Sequence, residues 1–493
     1  MLPQLEARAE LDRLDDPRLF RELAYVDGKW CAARDAATRD VTDPATGAVL
    51  GAVATLGSGE AKRAVDAATR AFAEWRALLP QERAARLRAW YDAIMAAKED
   101  LAVLMTLEQG KPLAESRGEI DYAAGFVEWY AEEAKRVNVE SVMSHLPGAN
   151  MSVRREPVGV AALVTPWNFP SAMITRKAAA ALAAGCTVVV HPAIETPFSA
   201  LALAELAERA GLPAGVFNVV TGDAPAIVGA WCEDPRVRAL SFTGSTAIGR
   251  LIARQCADTV KNLVLELGGH APLIVFPDAD LEHALDAAID AKFATSGQDC
   301  LAANRIYVHR DIYDSFAAAF ARRVAAMTVG SGLDPDVAVG PLMHERAVAK
   351  CEAHVADALE NGAKLLVGGA RHHCGPLFYQ PTVLADVPAE ATIMHEETFG
   401  PVAALVPFDN EAAVLAAANA TEYGLVAYLH TRDPGRIARM TAGLEYGMVA
   451  VNRTKITGAP VPFGGVKQSG LGREGARHGM EAFTEVKYVC TDV

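Results

Sequence analysis

The chain has no uninterrupted apolar run of roughly 18 residues, so nothing in it reads as a membrane-spanning helix. Its most apolar stretch, 178–190, is broken by Gly185, Cys186 and Thr187 and reads as a buried helix followed by a strand. The opening MLPQLEARAELDRLDD is acidic and lacks an apolar core, so no secretory leader is expected. Basic residues are in deficit: 47 Lys and Arg stand against 61 Asp and Glu, a net charge of −14, with no basic stripe to offset it. That average field repels a nucleic acid, and no such partner is expected. The eight cysteines, at 31, 186, 232, 256, 300, 351, 374 and 490, include no CxxC pair. Neither a zinc site nor a redox pair is suggested, and no metal is expected. Reduced thiols in a cytoplasm are the simplest reading, with one of them available as a nucleophile. The GxGxxG fingerprint is missing too, as are repeats, low-complexity segments and any obvious linker.

What is present is ample material for a core. Of 493 residues, 51% are apolar, and the length suggests two or three interleaved, tightly packed domains. Short β-branched runs at 158–164, 187–190, 216–220, 263–267, 273–276 and 304–308 read as strands. Helical patterns at 60–75, 80–97, 170–184, 197–210, 280–292 and 311–327 alternate with them. The alternation indicates an α/β fold of right-handed βαβ units, with apolar strands in sheets covered on both faces.

Four segments carry candidate chemistry. Ser296-Gly297-Gln298-Asp299-Cys300 places a thiol at a turn between a helix and a strand. A thiol there is either a small buried hydrophobe or an accessible nucleophile. Glu266 stands alone in an apolar strand just before Gly268-Gly269. Burial would raise its pKa to suit a general base, unless a distant Lys or Arg pairs with it. In Thr165-Pro166-Trp167-Asn168-Phe169-Pro170, two prolines stiffen a strand-to-helix loop. Its Asn168 amide can donate to an oxyanion, or the loop is only a helix boundary. Finally, 242–249 (FTGSTAIG) offers glycines, hydroxyls and free N–H groups at a helix start, suited to a pyrophosphate.

Six motifs stand in one register: TPWNFP at 165–170, FTGSTAIG at 242–249, LELGG at 265–269, GQDC at 297–300, EETFGPV at 396–402 and PFGGVKQSGLGRE at 462–474. Together they resemble the aldehyde dehydrogenase superfamily over nearly the whole chain. ITRKAAAALAAGCTVVV at 174–190 and FGGVKQSGLGRE at 463–474 are closest to its succinate-semialdehyde dehydrogenase branch. The resemblance implies an aldehyde dehydrogenase-like fold, with a Rossmann-type cofactor domain (1–136 and 156–264) and an α/β catalytic domain (265–468). A small β oligomerisation arm (137–155 and 469–493) would build a homodimer or homotetramer. It implies NAD(P)-dependent oxidation of an aldehyde to the acid through a thioester on Cys300. Asn168 and the Cys300 N–H would form the oxyanion hole, and Glu266 would activate the hydrolytic water. Lys177 and Glu474 would support a proton path. The cofactor, NAD or NADP, would lie against Thr165, Pro166, Trp167, His191, Gly244, Ser245, Leu267, Glu397 and Phe399. Arg176 would hold the distal carboxylate of a small-molecule semialdehyde such as succinate semialdehyde. Glutarate semialdehyde and broad aliphatic aldehydes are the alternatives, followed by a non-catalytic paralogue.

The departures bear on specificity. His191-Pro192-Ala193-Ile194 stands where the family usually has Lys-Pro-(Ser/Ala)-Glu. Ile194 cannot bond a ribose hydroxyl or repel a 2′-phosphate, so weak selectivity between NAD and NADP is expected. His191, if protonated, would pair with that phosphate, so NADP use should improve toward about pH 6. Asp299 replaces the usual Thr before the nucleophile and should raise the thiol's pKa. Ala294 replaces a second arginine, leaving Arg176 to hold a carboxylate alone.

Overall fold

In the computed structural model, residues 11–137 and 140–492 are described. The outer ends of the expected domain ranges, at 1–10, 138–139 and 493, lie outside the described residues. Two large sheets, a three-stranded sheet and the two-stranded pair Thr38–Thr42 with Val49–Ala54 organise the rest. In the first sheet, the parallel strands run in the order Asn262–Glu266, Val237–Thr243, Val160–Val164, Thr187–His191, Phe217–Val219. Ala24–Val26 and Lys29–Cys31 extend one edge, and Gly470–Leu471 closes the other. Strand order reverses between Val160–Val164 and Val237–Thr243, which makes a topological switch point, where such sheets bind ligands. Val164 is in register with His191 and Phe242, and Thr243 with Glu266. Four strand ends that carry sequence motifs are thereby set side by side.

The second sheet runs Lys364–Val367, Thr382–Ala385, Val402–Phe408, Ala303–His309, Ala271–Val275, Val426–His430, Met448–Val451. All its pairs are parallel except the first. The third sheet joins Glu140–Val142, Ala149–Pro157 and Thr484–Asp492, and leaves Met143, Val486 and Tyr488 exposed. Its strands overlap the ranges expected for the arm, with Glu156 and Pro157 lying beyond them. The sheets depart from the expected boundaries in two further places. Position 265 falls inside the strand Asn262–Glu266, which stays whole in the first sheet. Gly470–Leu471, expected in the arm, pairs with that same strand. The apolar pattern there is continuous, and hydrogen bonding rather than composition decides where the strand belongs.

The helix Ala172–Ala184 is buried along its whole length, which explains its near-continuous run of small apolar residues. It also buries Arg176 and Lys177. Two helices that apolar spacing does not disclose, Lys98–Gln109 and Leu113–Glu133, bury polar side chains that interrupt the stripe. Glu108, Ser116 and Glu119 are among them. One of these polar groups fixes a site loop. Lys111 donates to Glu119 (2.7 Å) and to the Asn168 carbonyl (2.6 Å), and lies 4.1 Å from the Phe169 ring centroid. The other oxygen of Glu119 accepts from the N–H groups of Ser171 and Ala172 (3.0 and 3.1 Å), at the start of the buried helix. A carboxylate is favoured there by the unpaired N–H groups and the helix dipole. Lys111 and Glu119 are both buried, so removing one strands the other. Lys111→Met should therefore cost about 3–5 kcal/mol, read as a lower urea midpoint with an unchanged m-value.

Candidate active site

The loop ahead of Cys300 is held in an unfavourable backbone conformation. Thr295, Ser296 and Gly297 follow one another at φ 50°, 57° and 72°. Left-handed non-glycine residues of this kind are uncommon and need support from their surroundings. Glu115 supplies it by accepting from Thr295 N (2.8 Å) and Thr295 Oγ1 (3.1 Å), while Ser296 Oγ donates to Gly340 O (2.9 Å). At Gly297 a Cβ would come within 2.3 Å of Gly400 O, so only glycine fits. The turn leaves Cys300 half-buried. Burial pushes its thiol well above the ordinary value, Asp299 and Glu397 add to this, and Arg176 opposes them. The effect of Asp299 has the direction expected from the sequence.

The strand ending at Glu266 delivers that carboxylate beside the thiol. A Cβ at Gly269 would meet Cys300 O at 2.1 Å, so the Gly-Gly break lets the two backbones touch. Both Glu266 oxygens are buried and without a hydrogen-bond partner. Burial raises its pKa well above the usual range, Glu474 raises it further, and Arg176, Lys177 and Arg473 act in the opposite sense. Asn168 is buried and donates from Nδ2 to Gln298 O (3.0 Å), two residues before Cys300. An amide carries two such protons, so one donor stays free. Lys177 donates to Glu474 and to Thr243 Oγ1 (2.7 Å), and Ser241 Oγ donates to the same carboxylate (3.1 Å). Burial drives Lys177 down, while Lys177 and Arg176 together hold Glu474 below its ordinary value against its own burial.

Arg176 is paired with an acid. Its Nε lies 2.5 Å from Glu474 Oε2, and its guanidinium stacks 4.1 Å from the Phe463 ring centroid. Glu474 reaches it from nearly three hundred residues along the chain, beyond any local pattern.

The expected cofactor residues line the same strand ends. Thr165 N donates to His191 O (3.1 Å), while Thr165 Oγ1 has no partner. Pro166 and Trp167 follow, with Trp167 edge-on to Phe399 (5.6 Å between centroids). Gly244 N donates to Glu266 O (3.0 Å), and Ser245 precedes the helix Thr246–Ala257 without a side-chain capping bond. The N–H groups of that first turn are thus available to an anion. Leu267 packs against Gly249, where a Cβ would collide with it. Glu397 accepts from Gly269 N (3.0 Å), and burial lifts its pKa to about 7. A partnerless hydroxyl and an open helix start at the ends of the first sheet, with the half-buried Glu397 carboxylate reaching Gly269 N from the second sheet's side, suit a dinucleotide.

His191 behaves otherwise than expected. It is buried, and its Nδ1 meets Val220 O at 2.8 Å. Burial lowers its pKa, against the Val220 carbonyl and the Asp223 and Glu195 charges, which disfavours the charged form that pairing with a phosphate would need. Glu195 is tied to His344 at 3.1 Å and does not turn toward the ribose. The sequence reading missed Lys111, Glu115 and Glu119, although the signal exists. They are spaced four apart, and the two acids share one face of the helix Leu113–Glu133.

The sequence model of the aldehyde dehydrogenase family matches residues 30–489. The chain belongs to this family. It is an oxidoreductase that acts on aldehydes with NAD or NADP as oxidant. It is 56% identical to the aspartate-semialdehyde dehydrogenase (non-phosphorylating) of Halomonas elongata, over 97% of each chain. It is 54% identical to the succinate-semialdehyde dehydrogenase [NADP(+)] of Escherichia coli, over 97% of this chain and 99% of the relative. A crystal structure of an E. coli NADP-dependent enzyme superposes with a TM-score of 0.97 at 53% identity, covering 98% of this chain and all of that one. No helix among the described residues is long and apolar enough to cross a membrane.

In this aldehyde dehydrogenase the charge balance around Glu266 is testable. A base must be ionised to accept a proton, so a raised pKa makes the rate climb with pH through that value. Glu474→Gln removes a negative neighbour and leaves Arg176 and Lys177 facing Glu266. The acidic limb of the pH–rate profile should then move to lower pH, as measured by kcat across pH 5–9 (about this range).

Proposed function

We propose that the chain oxidises a carboxylate-bearing semialdehyde, succinate semialdehyde foremost, to the dicarboxylic acid through a thioester on Cys300. The observation that carries this is a buried, partnerless Glu266 beside the thiol, with Arg176 in the same charge cluster. Glu266 takes the Cys300 thiol proton as the sulfur attacks the aldehyde carbon, and the Asn168 amide with the Cys300 N–H holds the developing oxyanion. NAD or NADP, when bound, would supply the acceptor for the hydride on that carbon. Glu266 then draws a proton from water, which attacks the thioester carbonyl, releasing the acid and the thiol. Protons leave Glu266 toward Lys177 and Glu474. Glu397 and Phe399 hold the nicotinamide end, with Thr165, Pro166, Trp167 and Leu267 along it and Gly244 with Ser245 at the pyrophosphate.

Arg176 suits the distal carboxylate because its fork is not saturated. Nε meets Glu474, but one Nη reaches only Met173 Sδ (3.1 Å) and the other the Tyr122 hydroxyl at 3.5 Å. Donors held by such weak acceptors are available to a carboxylate. The two relatives named above are called dehydrogenases of aspartate and succinate semialdehyde, substrates with an anionic far end. Glutarate semialdehyde and uncharged aliphatic aldehydes are the alternatives. A CoA-acylating relative or a non-catalytic paralogue would not need Glu266 together with Cys300 and Asn168.

The sheets support a division into a cofactor domain, a catalytic domain and an arm. The arm's exposed Met143, Val486 and Tyr488 favour a homodimer or homotetramer. The free cysteines favour a cytoplasmic setting.

Two measurements test the chemistry. Glu266→Gln should slow steady-state turnover by roughly 10²–10⁴; a burst of reduced cofactor survives if Glu266 serves only deacylation and fades if it also deprotonates Cys300, and near-normal turnover would refute both versions. Arg176→Ala should lower kcat/KM for succinate semialdehyde by roughly tenfold or more relative to hexanal. Equal losses for the two aldehydes would mark Arg176 as structural.

A further inference from the structure

One exposed turn gathers three side chains of metal-ligating chemistry. His372, His373 and Cys374 are consecutive, and a ring nitrogen of each histidine and the Cys374 sulfur all lie within 4.8 Å of one another. The two rings stand 4.1 Å apart between centroids. None of the three belongs to the catalytic or cofactor residues. No CxxC spacing announces them, because a single turn supplies every donor.

The turn is held at its base. Arg371 bridges to Tyr379, His372 N donates to Phe378 O (2.8 Å), and Gln380 N donates to Ala370 O (3.0 Å). Phe378 and Tyr379 are buried and anchor it. Arg371 ties it to the helix Glu345–Glu360 through Glu345 (2.6 Å) and Glu352 (2.8 and 3.0 Å). Those carboxylates also offset the guanidinium charge, which would otherwise repel a cation at the neighbouring residues.

The donors are free to bind. His372 Nδ1 turns its lone pair toward Cys374, whose N–H reaches it only at 3.4 Å, a weak bond that an ion displaces at little cost. Among the described residues, no hydrogen bond or ion pair engages His373. Cys374 is exposed and its sulfur donates at 3.6 Å to Val329 O.

Two imidazoles and a thiolate suit Zn²⁺ and are poor ligands for Mg²⁺ or Ca²⁺, which take oxygen. Around a tetrahedral zinc ion such donor atoms stand roughly 3.3–3.6 Å apart. From 4.8 Å, that asks at most about 1.5 Å of approach, within reach of side-chain rotation in an exposed turn. We infer that His372, His373 and Cys374 form a surface site for Zn²⁺, with water in the fourth position. Zinc undergoes no redox change here. The Cys374 S–H bond breaks, a sulfur–zinc bond forms, and the proton passes to the buffer.

Calorimetry with zinc chloride, on protein free of any histidine tag, tests the site. Cys300→Ser serves as the background, so that the thiol proposed as nucleophile does not compete for the ion. That protein should bind about one equivalent of zinc. His373→Ala and Cys374→Ser, each added to it, should weaken binding roughly tenfold or more. Cobalt(II) in place of zinc should give a sulfur-to-metal charge-transfer band that Cys374→Ser abolishes. In the chain that keeps Cys300, both substitutions should leave aldehyde oxidation at the wild-type rate, which shows the fold intact. Undiminished zinc binding in both variants, displacement of the zinc by excess Mg²⁺, or loss of zinc binding on Cys300→Ser alone would overturn the inference.

Discussion

One carboxylate shared by two neighbouring cations sets the electrostatics of the whole cavity. Arg176 and Lys177 are consecutive on a helix that is otherwise apolar and buried, and both reach Glu474. Without that acid, two positive charges would sit uncompensated in a low dielectric, which is costly. With it, they are neutralised enough that Glu266 keeps its raised pKa, although both cations lie near it. The pKa of Glu266 therefore depends on what its cationic neighbours are already bound to. The same pairing moderates the pull of Arg176 on the Cys300 thiol.

The second constraint is mechanical. The nucleophile loop runs through three left-handed residues, and Glu115 and Gly340 hold it there. The loop bearing Asn168 is fixed from the opposite side by Lys111 and Glu119. Glu115 and Glu119 stand on one face of one helix, so a single element positions both walls of the cleft. The Asn168 amide, proposed as the oxyanion donor, and the thiol thus keep their relation without a flexible linker between them. That is the preorganisation acyl chemistry needs.

Much of this was legible in the sequence because the signals were local. The strand ends at Val164, Thr243 and Glu266 carry motifs whose residue types announce turns, caps and a lone acid. The strands expected at 187–190 and 304–308 correspond to Thr187–His191 and Ala303–His309. What escaped was set by distance along the chain. Arg176 has a partner 298 residues away, and Gly470–Leu471 belongs to a sheet begun more than two hundred residues earlier. His191 looked like a polar group free to meet a ligand, and the pleat turned it into the core instead. Burial pattern and residue type do not disclose such partners.

The edge strand Gly470–Leu471 also has a consequence for how the protein is made. Until it emerges from the ribosome, the strand Asn262–Glu266 has an open flank, because its only other neighbour is Val237–Thr243. About two hundred residues separate the two pieces, so at typical elongation rates the flank waits roughly 10–40 s for its cover. An unpaired apolar edge is a template for association with other chains. The buried helix meanwhile carries two charges whose counter-ion has not been synthesised. The first sheet is thus the earliest to be translated and among the last to be finished. Nascent chains stalled late in the message should therefore depend most on molecules that shield exposed strands.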